Sequence, residues 1–307
     1  MPAFSVSKSV EIDVSIEEVY AYLRDFNDWP VWSPWLICDP ECQVDYATDG
    51  KSYSWVGEFA GQGEMKLVNE HAPMQLDYDL KFIKPWKSQA DVSLNCERAD
   101  EGTRVTWSMD SKLPFFLFWM KGMMINMLGM DYDRGLRMLK EQLEKHRVSS
   151  HLEFKGIESV AGCQYIGIKR ECRFEEMEQV MDKDFAKLRN QVTEAHLEPK
   201  GPYFTTYKKW QLSKGVVSYE VCCPVAAKPL HFPDGVIFGS RPAVRAYQVE
   251  HTGAYQHLAN AWSAAMMRSQ SKLFKQSKKV MPFEQYLVMP EDAEENQTVT
   301  LVCLPVR

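Results

Sequence analysis

Glu284 is the residue of this 307-residue chain whose neighbours most suggest chemistry. It is a lone acid in the apolar, aromatic run Pro282-Phe283-Glu284-Gln285-Tyr286. Such a run reads as a strand, and strand alternation puts Glu284, Tyr286 and Val288 on one face and Phe283, Gln285 and Leu287 on the other. A carboxylate held among aromatic rings is poorly solvated, which raises its pKa unless a cation arrives. Two chemistries follow. A delocalised organic cation would neutralise the charge and stack on Tyr207, Tyr247 or Tyr255. Alternatively, the desolvated carboxylate would act as a general base with a tyrosine as donor. Spacing alone leaves a plainer reading open, a surface residue on an edge strand.

Other reactive side chains are less well placed. His251 adjoins Glu250, but neighbours on a strand point to opposite faces. Asp131-x-Asp133 falls in a helix, where it reads as a solvated or capping pair, and no Ser-His-Asp or Cys-His arrangement is legible. Of the eight cysteines, Cys38 and Cys42 are close, Cys222 and Cys223 are adjacent, and Cys96, Cys163, Cys172 and Cys303 stand alone. No histidine pair completes a zinc pattern, so they read as reduced thiols packed in strands. Neither a metal nor a cofactor is implied.

The elements that must position Glu284 form an imperfect repeat of about 80 residues. The first copy reads strand (163–170), helix (174–196) and two strands (202–210, 215–223). The second reads 243–250, 255–276, 280–289 and 297–304 in the same order. Two such units imply pseudo-twofold packing into one sheet, with a groove where the halves meet.

The first half has a different pattern. Phe4, Val6, Val10, Ile12 and Val14 alternate as in a strand, and Ser15 caps a helix with Glu17 and Glu18 in its first turn. The segment 25–35 concentrates three tryptophans, strands follow at 52–57, 61–70, 74–82, 87–97 and 102–110, and a long helix covers 115–146. Its beginning, 113–130, is almost continuously apolar and borders on the length needed to span a bilayer, but Pro114, Lys121 and Asn126 interrupt it. A buried helix closing over a sheet is favoured over a membrane-associated one. Met120, Met123, Met124, Met127 and Met130 then face the interior, as a plastic core or as the wall of a cavity for apolar ligands, with Met124 and Met127 its candidate contacts.

Charge and period change near 146–151, which divides the chain into domains at 1–148 and 151–307. The first carries 16 Lys plus Arg against 24 Asp plus Glu, and the second 20 against 18, so neither has the basic stripe that nucleic acid requires. Residues 1–14 lack the basic start and apolar core of a signal peptide, which predicts a cytoplasmic chain.

Both halves resemble known families. The order of elements in 1–148, with Trp29-Pro30-Val31-Trp32-Ser33-Pro34-Trp35 and a final helix carrying Gly135-Leu136, Leu139 and Leu143, resembles the polyketide cyclase and START-related (SRPBCC) superfamily. That resemblance implies a helix-grip fold, a curved antiparallel sheet around a long C-terminal helix with an apolar cavity between them. In 152–307, Gly201-Pro202, Tyr207, the strand 217–224, the run from Tyr247 to Tyr255 and Phe283-Glu284-Gln285-Tyr286 resemble the gyrase-inhibitor-like, or AraC effector-binding, domain. In that family the acid of this strand lies at the bottom of an aromatic cleft and often meets cationic, lipophilic drugs, which assigns that role to Glu284 with Tyr286 beside it. No helix-turn-helix domain accompanies it, so direct DNA binding is not expected.

The resulting expectation is an α+β chain of two fused modules that bind hydrophobic or amphipathic small molecules, cations being preferred by the second. Hydrolysis of strained electrophiles, with Glu284 as general base, is the alternative. A third role, protein interaction with both cavities filled by side chains, stays open.

Overall fold

The computed structural model describes residues 3–112, 115–211, 214–226 and 235–307, with 115–117 described by their backbone alone. Two compact units result, Met1–Ser149 and Ser150–Arg307.

In the first unit, β1 (Ala3–Ile12) leads into α1 (Ile16–Arg24) and the short α2 (Trp29–Trp32). The strands β2 (Gln43–Tyr46), β3 (Ser52–Val56), β4 (Gln62–His71), β5 (Gln75–Lys84), β6 (Ser88–Arg98) and β7 (Thr103–Lys112) follow, and α3 (Lys121–Lys145) closes the unit. The antiparallel sheet runs β1-β7-β6-β5-β4-β3-β2, so β7 returns beside β1, and the two edge strands, β1 and β2, are consecutive in sequence. Ser15 caps α1 by accepting from the Glu18 amide, as its position before two acids predicts. Helix α3 buries Tyr132, Leu136, Leu139 and Leu143, a spacing of three and four residues that forms one helical face against the sheet.

Aromatic rings fill the space between α3 and the sheet. Trp107 stacks on Tyr132 at 4.0 Å, and Trp32 meets Trp107 edge-on at 5.2 Å. Arg134, buried in α3, donates to Pro34 O at 3.0 Å and to Asp131, while Asp131 also accepts from the Trp35 indole. Asp131 therefore ties the tryptophan segment to α3 and is not the solvated pair its sequence suggests; Asp133 pairs with Lys8. Gly135 permits this closeness, since a Cβ there would lie 2.9 Å from the Trp107 ring and 3.1 Å from Pro34.

One expectation needs correction. The methionines of α3 do not all face inward: Met124 is half-buried against the core, whereas Met123, Met127 and Met130 are exposed. Met124, Ile125 and Leu128 are partly buried against the core, and the fully buried positions of α3 begin at Gly129. Leu113 and Pro114, the start of the apolar stretch, lie outside the described residues. Among the described residues no helix is long and apolar enough to cross a membrane.

The second unit contains β8 (Ser150–Val160), β9 (Cys163–Arg173), α4 (Met177–Glu194), β10 (Phe204–Gln211) and β11 (Val216–Val225). It continues with β12 (Ile237–Arg241), β13 (Val244–Gly253), α5 (Ala259–Gln270), β14 (Phe283–Val288) and β15 (Val299–Pro305). The sheet order is β12-β9-β11-β10-β14-β15-β13-β8. Its halves, β9-β11-β10 and β13-β15-β14, are the two copies of the repeat, joined where β10 pairs with β14. The strand before each copy crosses to the other: β8 pairs with β13, and β12 with β9. Helix α4 is held by its buried Asp184, which accepts from Arg170 on β9 and from the Tyr219 hydroxyl on β11 at 3.1 Å.

Candidate functional site

The β10–β14 junction places Glu284 opposite Thr205, with Val302 of β15 on its other side. Glu284 thus stands on a central strand, which removes the edge-strand reading. The junction's register also shows how the two copies differ. Aligning Phe204-Thr205-Thr206-Tyr207 with Phe283-Glu284-Gln285-Tyr286 puts Thr205 in the first copy where Glu284 stands in the second, and makes Tyr207 the counterpart of Tyr286. Only one half carries the acid.

Glu284 is 2% exposed. Three donors converge on it: the Trp262 indole of α5, the Tyr286 hydroxyl at 2.7 Å, and the Tyr207 hydroxyl. Tyr286 has one proton, so with that proton on the carboxylate its contact to Thr205 Oγ1 at 2.9 Å is an acceptance from the threonine. Burial pushes the Glu284 carboxyl above its ordinary range, and the three hydrogen bonds pull it partly back. Among the described residues no basic side chain pairs with it. The same burial, together with the carboxylate beside them, raises the phenols of Tyr207 and Tyr286.

Aromatic faces surround this acid. The Tyr207 ring meets Trp262 at 5.3 Å, and Tyr286 is flanked by Phe185 of α4 at 5.1 Å and by Tyr255 at 6.0 Å. A cleft of about 460 Å³ opens beside Tyr286, lined also by Pro202, Tyr203, Leu287, Met289, Arg189, Glu291 and Asp292. Tyr286 therefore separates the cleft from the carboxylate. Arg189 at the rim is already paired with Glu291 at 2.6 Å.

Of the residues singled out in sequence, Glu284, Tyr286, Tyr207 and Tyr255 come together. Tyr247 does not. It stacks on Phe274 at 4.8 Å in the separate cluster under α5, because β15 lies between β13 and β14 and puts the two strands about 10 Å apart. Trp262 was not foreseen; its signal was a tryptophan among small residues in the helix preceding the acid's strand. His251 and Glu250 also part, His251 contacting Ser150 Oγ at 3.1 Å and Glu250 pairing with Lys155. All eight cysteines are free thiols, and Cys96 and Cys303 are pushed up to about 12 by burial.

Residues 3–144 match the family described as polyketide cyclase / dehydrase and lipid transport, and residues 157–307 match the GyrI-like small molecule binding domain. No curated protein matches the chain. Among solved structures, EcmrR in its cryo-EM complex with DNA has a TM-score of 0.44 at 18% identity, over 60% of this chain and 66% of that one. The C-terminal domain of EcmrR alone has a TM-score of 0.43 at 19% identity, over 52% of this chain and 98% of that one. The Aha1 dimer from Colwellia psychrerythraea has a TM-score of 0.35 at 15% identity, over 46% and 96%.

Proposed function

We propose, for a chain that joins a polyketide cyclase / dehydrase and lipid transport domain to a GyrI-like small molecule binding domain, that the second domain captures lipophilic organic cations non-covalently at Glu284. The observation that carries this reading is a carboxylate buried among aromatic rings with no counter-ion among the described residues. An unpaired buried charge is costly, so the empty site favours the protonated acid, and a cation that replaces the proton gains both the charge and the ring faces. The cleft beside Tyr286 has the volume of a small-molecule site. In this reading the Tyr286 ring swings aside as the ligand moves from cleft to carboxylate. The first domain takes apolar or amphipathic molecules, with the half-buried Met124 as its candidate contact.

Titration calorimetry of the full chain with tetraphenylphosphonium and with neutral triphenylphosphine oxide tests the preference. Tighter binding of the cation by tenfold or more, roughly the value of a cation–π contact plus a charge pair, is expected. Equal affinities would overturn it. A second reading, hydrolysis of a strained electrophile, draws support from the same raised carboxyl, which is a better base near neutral pH than an ordinary glutamate.

A further inference from the structure

The first domain exposes large apolar side chains at one end of its sheet. β5 and β6 turn there, with Phe82 opposite Ser88, and Ala90 of β6 lies opposite Ser111 near the end of β7. Ile83 and Trp86 on this turn are exposed. Helix α3 begins at the same end: the Lys8–Asp133 pair fixes its middle over the middle of β1, and its preceding turns run toward Ala3, which lies opposite Lys112. Phe118 and Trp119 are 59% and 69% exposed, and Met123, Met127 and Met130 continue from Trp119 along one stripe of the helix.

The segments that carry these apolar side chains, 82–90, 111–112 and 118–130, contain Lys84, Lys87, Lys112 and Lys121 and no acidic residue; the acids of the same end, Glu41 and Glu58, lie before β2 and in the β3–β4 turn. All four lysines are exposed, and none forms an ion pair among the described residues. Exposed aromatic residues and methionines with lysines on the same segments match the interface of an anionic bilayer, where rings settle at headgroup depth and lysines meet phosphates and carboxylates. A second copy of the chain fits poorly. A twofold contact through this end would set its lysines against the same lysines of the partner.

We infer that this end of the first domain docks on an anionic lipid surface, lying on the membrane without crossing it. This docking is independent of the cation site in the second domain. The full-length chain is sedimented with sucrose-loaded vesicles of phosphatidylcholine alone and of phosphatidylcholine with a quarter phosphatidylserine. Binding to the mixed vesicles should exceed binding to the neutral ones by more than about tenfold and fall with salt. Trp119→Ser and the pair Lys84→Glu/Lys87→Glu, all at exposed positions, should each reduce it several-fold with unchanged circular dichroism. Equal sedimentation with both vesicle types, or variants that bind as well as the wild type, would overturn the inference. So would a lipid-free dimer that Trp119→Ser dissociates, since the surface would then serve a second copy.

Discussion

The Trp262 indole N–H, from the helix layer, is a hydrogen-bond donor to the carboxylate of Glu284 in the sheet beneath it. The contact joins the two layers of the second copy of the repeat at the strand where the copies meet. Helix position, sheet junction and the buried charge are therefore linked at one point.

Trp262→Phe keeps an aromatic ring, though a smaller one, and removes that donor. The Glu284 carboxyl then loses one of the bonds that pull it down, so its pKa should rise further. Loss of a buried bond to a charged group should cost about 1.5 to 3 kcal/mol of stability where the carboxylate is ionised, and less in acid, where it is protonated. Urea melts across pH check this; a loss independent of pH would point to packing alone.

Much of this site was legible because strand alternation is local. It assigned Glu284 and Tyr286 to one face, and they prove to be directly bonded. Partners from elsewhere required the sheet order, which alternation does not contain; hence Tyr247 was grouped with the acid and Trp262 was not. The flanking strands were missed for a similar reason. Along β8, Phe154 pairs with Val249 and Gly156 with Gln248, so a bulge at Lys155 breaks the alternation that would have marked a strand. β2 is four residues long, with Val44 its single aliphatic side chain.

Gly135→Ala tests the aromatic core of the first domain. Alanine favours a helix by about 1 kcal/mol over glycine, but its Cβ would stand 2.9 Å from a Trp107 ring that is itself stacked on Tyr132. The ring has nowhere to retreat, so the clash should outweigh the propensity, with a net loss of about 1 to 3 kcal/mol. Tryptophan fluorescence during urea unfolding measures it, and a stabilised variant would show that the packing yields.

The units should fold separately, and the cut should matter to the residue. Ser149 closes the first unit by donating its amide (3.0 Å) and hydroxyl (2.7 Å) to the buried Glu141. Ser150 serves the second, contacting His251 and accepting from Asn260 at 3.0 Å. Fragments 1–149 and 150–307 should therefore melt higher than 1–148 and 151–307, each serine being worth about 1 to 3 kcal/mol. Equal melting temperatures would assign the serines no such role.

His251 should make the second domain sensitive to acid. Burial, with His257 and His151 nearby, lowers its pKa from 6.5 to about 4. Between those values the unfolded chain binds more protons than the folded one, so this contribution is full above pH 6.5 and is lost as pH falls toward 4, by about 3 kcal/mol in all. Glu284 acts in the opposite sense, its raised pKa making stability fall as pH rises through and above the normal carboxylate range. The His251→Gln variant should flatten the acid limb of a stability–pH profile while leaving the Glu284 limb in place. An unchanged acid limb would mean that another group controls it.

Glu284→Gln separates an electrostatic anchor from a general base. The amide keeps the shape of the carboxylate and removes its charge. As an anchor, Glu284 should lose about 1 to 3 kcal/mol of affinity for tetraphenylphosphonium and almost none for its neutral analogue. Stability at neutral pH should hold or rise, because the variant removes a buried carboxyl without a counter-ion, while the amide oxygen still accepts from Trp262 and the amide NH2 donates to the Tyr286 hydroxyl, which turns its own proton to Thr205. As a general base, the same change should leave binding of an electrophile intact and lower its turnover by roughly a hundredfold or more. If both ligands bind equally to both proteins and neither protein turns over an electrophile, the buried acid serves only to lock α5 to the sheet through Trp262.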